Sequence, residues 1–137
     1  MTKMKQLQIL KGLLYVGAVY FSGVAIVHSL GVKVPGLFIY YNVPSHAYQD
    51  RIISFLALGW AAFFYLTARK MDADFIKLIL MIGFIAMLAL TANSIITDFR
   101  FLNPLARKAD FLLITSILFI YWGSLVFFSK QLLKKKK

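Results

Sequence analysis

The sequence predicts an all-α integral membrane protein: a four-helix bundle with both termini cytoplasmic and an irregular, aromatic first loop at the outer interface. Three observations predict it. Residues 12–32, 52–68, 78–97 and 111–129 form four strongly apolar stretches without a single charge. Each is close to the roughly 20 residues that a helix needs to cross a bilayer. Every acidic and basic residue falls before, between or after these stretches. The basic residues are also shared unequally between alternate connections, which is the asymmetry that orients membrane helices.

Composition agrees with this class. The chain has 137 residues, 61% of them hydrophobic, and a mean hydropathy of +0.76. A soluble domain of this size needs more polar surface to cover its core. One domain is expected over residues 1–137, with helices at about 10–31, 46–69, 74–98 and 104–132. Cysteine is absent, which excludes disulfides, thiolate chemistry and Cys-ligated metal sites. The net charge of +11 is distributed by membrane side, so it does not read as a nucleic-acid footprint.

Topology follows from sorting that charge. Lys3, Lys5 and Lys11 precede helix 1; Arg69, Lys70 and Lys77 flank loop 2; Lys130 and Lys134, Lys135, Lys136 and Lys137 follow helix 4. These are eleven of the sixteen Lys and Arg, against five around loops 1 and 3. The bias places both termini and loop 2 in the cytoplasm, as in a bacterial inner membrane. The final lysines would attract anionic lipid headgroups by about 1 kcal/mol per charge. A basic start before an apolar run also fits a signal peptide. The run is longer than the roughly 7–15 residues of a signal h-region, so it reads as a retained first helix.

Helix faces are predicted from small residues at spacings of three and four. Helix 1 has Ala18, Ser22 and Ala25; helix 2 has Ala57 and Ala61; helix 3 has Gly83 and Ala86; helix 4 has Gly123. Small faces let helices approach closely in lipid, where packing replaces the hydrophobic drive. Ile79 is expected to face lipid. Loop 2 is a tight turn, so helices 2 and 3 are expected to be antiparallel neighbours. Loop 3 is expected to be short, with Asn103 capping helix 4 and Pro104 at its first position. Ser45 is a similar cap candidate ahead of helix 2. Loop 1 is apolar and aromatic but interrupted by Pro35, Gly36 and Pro44. Its backbone needs polar partners, so it is expected at the outer interface, with Phe38, Tyr40 and Tyr41 at headgroup level.

Candidate chemistry gathers on the outer side. His28 lies near the end of helix 1, and an ionisable group within a membrane helix is a candidate functional site. His46 and Asp50 are four apart and share a helix face, so the carboxylate could orient the imidazole. Asn93, on the Gly83 stripe, suits an interhelical hydrogen bond or a ligand contact. Asp98, Asp110, Arg51, Arg100 and Arg107 could form a ring of ion pairs. His28, Tyr41, His46, Asp50, Asn93 and Asp98 are the candidate ligand-binding residues. No catalytic set and no metal site is legible. Haem ligation is disfavoured, because both histidines would have to face one cavity.

The outline resembles the DoxX-like group of small four-helix membrane proteins. The residues that carry the likeness are Gly12, Gly17 and Gly23 in helix 1, Val34-Pro35-Gly36-Leu37 in the outer loop, Asp50-Arg51 opening helix 2, and Leu58-Gly59-Trp60-Ala61 after it. That resemblance implies a four-helix fold and, for some members, a subunit linked to quinone-dependent oxidation; it implies no catalytic set at matching positions here. The leading expectation is a membrane binding or accessory subunit with an outward-facing polar and aromatic cavity for a lipid-like or aromatic ligand. The alternatives are the membrane subunit of a quinone-linked redox system, with quinone as cofactor and His46–Asp50 as proton relay, and an oligomeric small transporter or channel. The bilayer is the partner in every case, with a homo-oligomer or a larger membrane complex compatible with each.

Overall fold

The computed structural model describes residues 2–101 and 103–133, apart from the side chain of Gln131; the terminal run Lys134–Lys137 lies outside the described residues. Four helices account for most of it: α1 (Lys3–Leu30), α2 (Ala47–Lys70), α3 (Ala73–Ile96) and α4 (Lys108–Leu133). All four are long and apolar enough to cross a membrane. At 1.5 Å per residue even the 24-residue α2 and α3 reach about 36 Å, beyond a hydrocarbon core of about 30 Å. Only 33% of the most apolar window of α1 and 17% of those of α3 and α4 is buried within the protein. The remaining apolar surface faces outward, as lipid-facing helices require.

Local chemistry sets the helix ends. α1 stops at Gly31, which adopts a left-handed φ of 67°; the amide of Val32 then donates to the Val27 carbonyl at 3.0 Å. Glycine takes this conformation without a Cβ penalty. α2 stops at Met71, also left-handed at φ 50°. Asp72 then caps α3, accepting from the amides of Asp74 at 2.8 Å and Phe75 at 3.3 Å. α1 begins well before the expected residue 10, because the basic turn ahead of the apolar run continues the helix.

Two expectations about connections are corrected. Helix 4 does not start at Pro104. Asn103 instead accepts from the Leu105 amide at 3.0 Å and donates from Nδ2 to the Asn42 carbonyl of loop 1 at 2.6 Å. Its side chain is thus committed to a turn and a tertiary tie, and α4 opens only at Lys108. Loop 3 is correspondingly long and contains a 3-10 turn at Phe99–Phe101. Helices 2 and 3, although joined by two residues, scarcely touch. α1 packs most extensively on α2, and α4 bridges α3 to α1.

The hydrogen bonds between helices follow the same pattern. Ser54 Oγ donates to the Ala25 carbonyl (α2 to α1), Tyr121 Oη to the Leu13 carbonyl (α4 to α1), both at 2.8 Å, and Trp122 Nε1 to the Leu80 carbonyl (α4 to α3) at 2.9 Å. Most other hydroxyls turn back on their own helix, as Ser22 does to Ala18 at 2.8 Å. The main buried cluster joins Leu10 and Leu14 of α1, Phe64 and Ala68 of α2, Ile76 and Ile79 of α3, and Leu125 of α4. Ile79 is 2% exposed, so it packs inside the bundle rather than facing lipid. Lipid and core are equally apolar, so an isoleucine carries no mark of which it meets.

Candidate functional site

A cavity of about 680 Å³ lies among the four helices beneath loop 1. This is well within the range of roughly 300–1,000 Å³ of small-molecule sites. Its wall uses Val16 to His28 of α1, a rise of about 18 Å, so it extends over more than half of a hydrocarbon core. Trp60 and Phe64 line it from α2, Gly83, Ala86 and Met87 from α3, and Tyr121 and Trp122 from α4. Most of the lining is aliphatic or aromatic.

The polar end of the cavity is built by two helices and loop 1. His28 and Asp50 are 7% and 6% exposed, and His28 Nδ1 lies 3.1 Å from Asp50 Oδ1. The other carboxylate oxygen accepts from Ser45 Oγ at 2.7 Å. Removing two ionisable groups from solvent is costly unless each is paired and hydrogen-bonded, and here both conditions are met. The Phe38 ring stacks on His28 with centroids 3.5 Å apart and an interplanar angle of 20°. The imidazole is therefore held both in its plane and from its face.

Loop 1 supplies that roof by folding inward. Gly36 has φ 88°, a left-handed conformation that suits glycine, and its carbonyl accepts from Tyr20 Oη of α1 at 2.8 Å. The Phe38 amide donates to the Val34 carbonyl at 2.8 Å, which closes the turn, and Lys33 Nζ donates to the Val43 carbonyl. Tyr40 stacks on Phe99 at 5.0 Å and meets Phe111 edge-on at 5.1 Å. Phe38 is 4% exposed, and the Phe38 and Tyr40 rings both pack into the bundle, because a paired backbone lets the loop bury its aromatic side chains.

The sequence-predicted residues divide sharply. His28 and Asp50 come together, from separate helices. His46 does not join them: it is exposed and stacks on Tyr48 with centroids 5.7 Å apart. The expected His46–Asp50 pair does not form, because His46 is the extended N-cap of α2 and the four-residue spacing does not bring its side chain onto the Asp50 face. Tyr41 is half-buried and does not line the cavity, whereas Tyr40 does. Asn93 donates from Nδ2 to Tyr40 Oη at 2.7 Å, so it braces the cavity wall from behind. Asp98 is exposed and accepts from the Arg100 amide at 3.1 Å, serving the turn after α3. Of the expected ring of ion pairs, the described residues form Arg107–Asp110, at 3.0 Å.

Among the small residues, Ala18, Ala25, Ala57 and Ala61 are buried at helix contacts. At Gly83 an added Cβ would lie 2.7 Å from the Trp122 ring. Ala86 is exposed and lines the cavity, and Gly123 has open space around it, so neither mediates a close helix contact. Gly123 follows Trp122 directly and so points to a different face of α4. Sequence reasoning missed Ser45 as a partner of Asp50 and missed Trp60, Tyr121 and Trp122 as cavity walls. Aromatic residues in a membrane helix carry no local signal that separates a cavity wall from a lipid face.

Among the described residues no group of three or more His, Cys, Asp or Glu could hold a metal ion. Comparisons with family models, with curated proteins and with solved structures return no match.

Proposed function

We propose that this protein is a membrane-integral binding protein, or the binding subunit of a larger membrane complex, for a lipid-like amphiphile. The observation that carries this reading is one apolar cavity of about 680 Å³ with a buried His28–Asp50 pair at its end. The ligand's head would meet that pair and its tail would lie among the helices. The positive-inside bias puts the pair on the outer side and the termini in the cytoplasm. The sparse contact between α2 and α3 supports entry from the bilayer between them.

A redox variant of this reading also has a specific observation in its favour. An imidazole oriented by a carboxylate can take or give a proton at its free nitrogen. A quinone-type headgroup seated there would meet a proton relay made by His28 and Asp50, in place of the His46–Asp50 relay expected from sequence.

The test is to extract and identify the lipids that co-purify with the protein. Wild type should retain an amphiphile in amounts comparable to the protein. Ala86→Trp, which fills the cavity wall, should lose it. Equal retention by both would show that the bound molecule sits elsewhere, and no bound amphiphile in wild type would overturn the reading.

A further inference from the structure

We infer that the head of this amphiphile is a hydroxyl, and that it donates its proton to Nε2 of His28. The inference rests on the cavity reading and narrows the ligand to one chemical class.

The argument starts from Asp50. Its Oδ2 accepts from Ser45 Oγ at 2.7 Å while Oδ1 lies 3.1 Å from His28 Nδ1. An ionised carboxylate is an acceptor at both oxygens. The proton in the second contact therefore belongs to Nδ1. In a neutral imidazole the other nitrogen then carries a lone pair. His28 lines the cavity, and no described protein group bonds its Nε2. The fixed pair thus presents an acceptor to whatever occupies the cavity.

The surroundings exclude the commoner lipid heads. Among the described residues no lysine or arginine lines the cavity; Lys33, the basic residue in loop 1, is turned to the Val43 carbonyl. A carboxylate or phosphate head would sit beside the Asp50 carboxylate, and the nearest cation, Lys33, lies over the Phe38 ring with its ammonium already donating to that carbonyl, so an anionic head is disfavoured in this low-dielectric site. Tyr20, Tyr121 and Trp122 spend their polar hydrogens on the carbonyls of Gly36, Leu13 and Leu80, and Tyr40 Oη, which accepts from Asn93, stands apart from the His28–Asp50 pair as another hydroxyl of the wall. A hydroxyl on an alcohol or a phenol, the reduced form of a quinone ring included, supplies the missing donor without adding charge.

The experiment uses the full chain in detergent and three probes: 12-bromododecan-1-ol, its methyl ether, and 12-bromododecanoic acid. Trp60 lies ten residues beyond Asp50 on α2, about 15 Å along the helix, so a bromine at the tail end reports occupancy by quenching it. The alcohol should quench saturably and bind about three- to tenfold tighter than the ether, the cost of leaving one buried partner unmade. In His28→Phe that preference should disappear. 4-Dodecylphenol should displace the bromoalcohol better than its own methyl ether does, and its strength relative to dodecanol separates an aromatic from an aliphatic source. An ether or acid that binds as tightly as the alcohol in wild type overturns the hydroxyl assignment and leaves the cavity reading standing. No saturable quenching by any of the three overturns the cavity reading and this inference with it. The wild-type comparison decides the matter even if His28→Phe fails to fold.

Discussion

Asp50 meets His28 across the α1–α2 boundary, 3.1 Å from carboxylate to imidazole, although His46 stands only four residues before it, at the N-cap of the same helix. Both partners of the observed pair are buried, so losing either leaves the other uncompensated. Asp50→Asn and His28→Gln should each cost about 1–3 kcal/mol. The double variant should cost less than the two losses together. His46→Ala should stay within about 0.5 kcal/mol of wild type, as exposed substitutions do. Denaturant titration of the four proteins in one detergent checks this; a His46 variant as damaged as the His28 variant would refute the pairing.

Close approach at Gly17 gives a second test. A Cβ there would lie 2.5 Å from both Phe64 Cε1 and Tyr121 Oη, whereas nothing lies within 4 Å of one at Gly59. Gly17→Ala should destabilise by about 1–3 kcal/mol through overpacking. It also pushes Tyr121 off the Leu13 carbonyl. Gly59→Ala should be neutral or stabilising by up to about 1 kcal/mol, since glycine is a poor residue in a helix interior. Thermal melts that rank the two variants the other way would contradict this geometry.

Trp122 and Gly83 should behave as a unit. The indole donates to Leu80, and its ring fills the space a Gly83 side chain would take. Gly83→Ala should therefore be destabilising in wild type and markedly less so in Trp122→Phe, with a coupling of about 0.5–3 kcal/mol. Additive losses would mean that the two residues do not meet.

The cap of α3 is a local, independent element. Asp72→Ala removes the acceptor of two amides and should cost about 1 kcal/mol, while Asp72→Asn keeps an acceptor oxygen and should cost less. The same denaturant titration reads the order of the two, and equal losses would argue against a capping role.

Orientation is testable on a clean background because the chain has no cysteine. Arg100→Cys, beside loop 3, should react with a membrane-impermeant maleimide on intact cells. Lys70→Cys, beside loop 2, should react only after the membrane is opened. The reverse pattern would invert the proposed topology.

The sequence by itself determined how many helices there are and roughly where they lie. A hydrocarbon core tolerates neither charge nor unpaired backbone, so uncharged stretches of about 20 residues are visible without any structure. It also pointed to His28, as an ionisable group within an apolar stretch, and to Asp50, though as the partner of His46. Only the tertiary structure decided that His28 and Asp50 pair with each other, that Ile79 is inside, that loop 1 turns Phe38 onto His28, and that the four helices leave a cavity beneath loop 1. The physical reason is common to all four. In a soluble helix the core face is apolar and the other polar, so periodicity reveals it; here lipid and protein interior are equally apolar, and the lateral arrangement of helices leaves little trace in the order of residues.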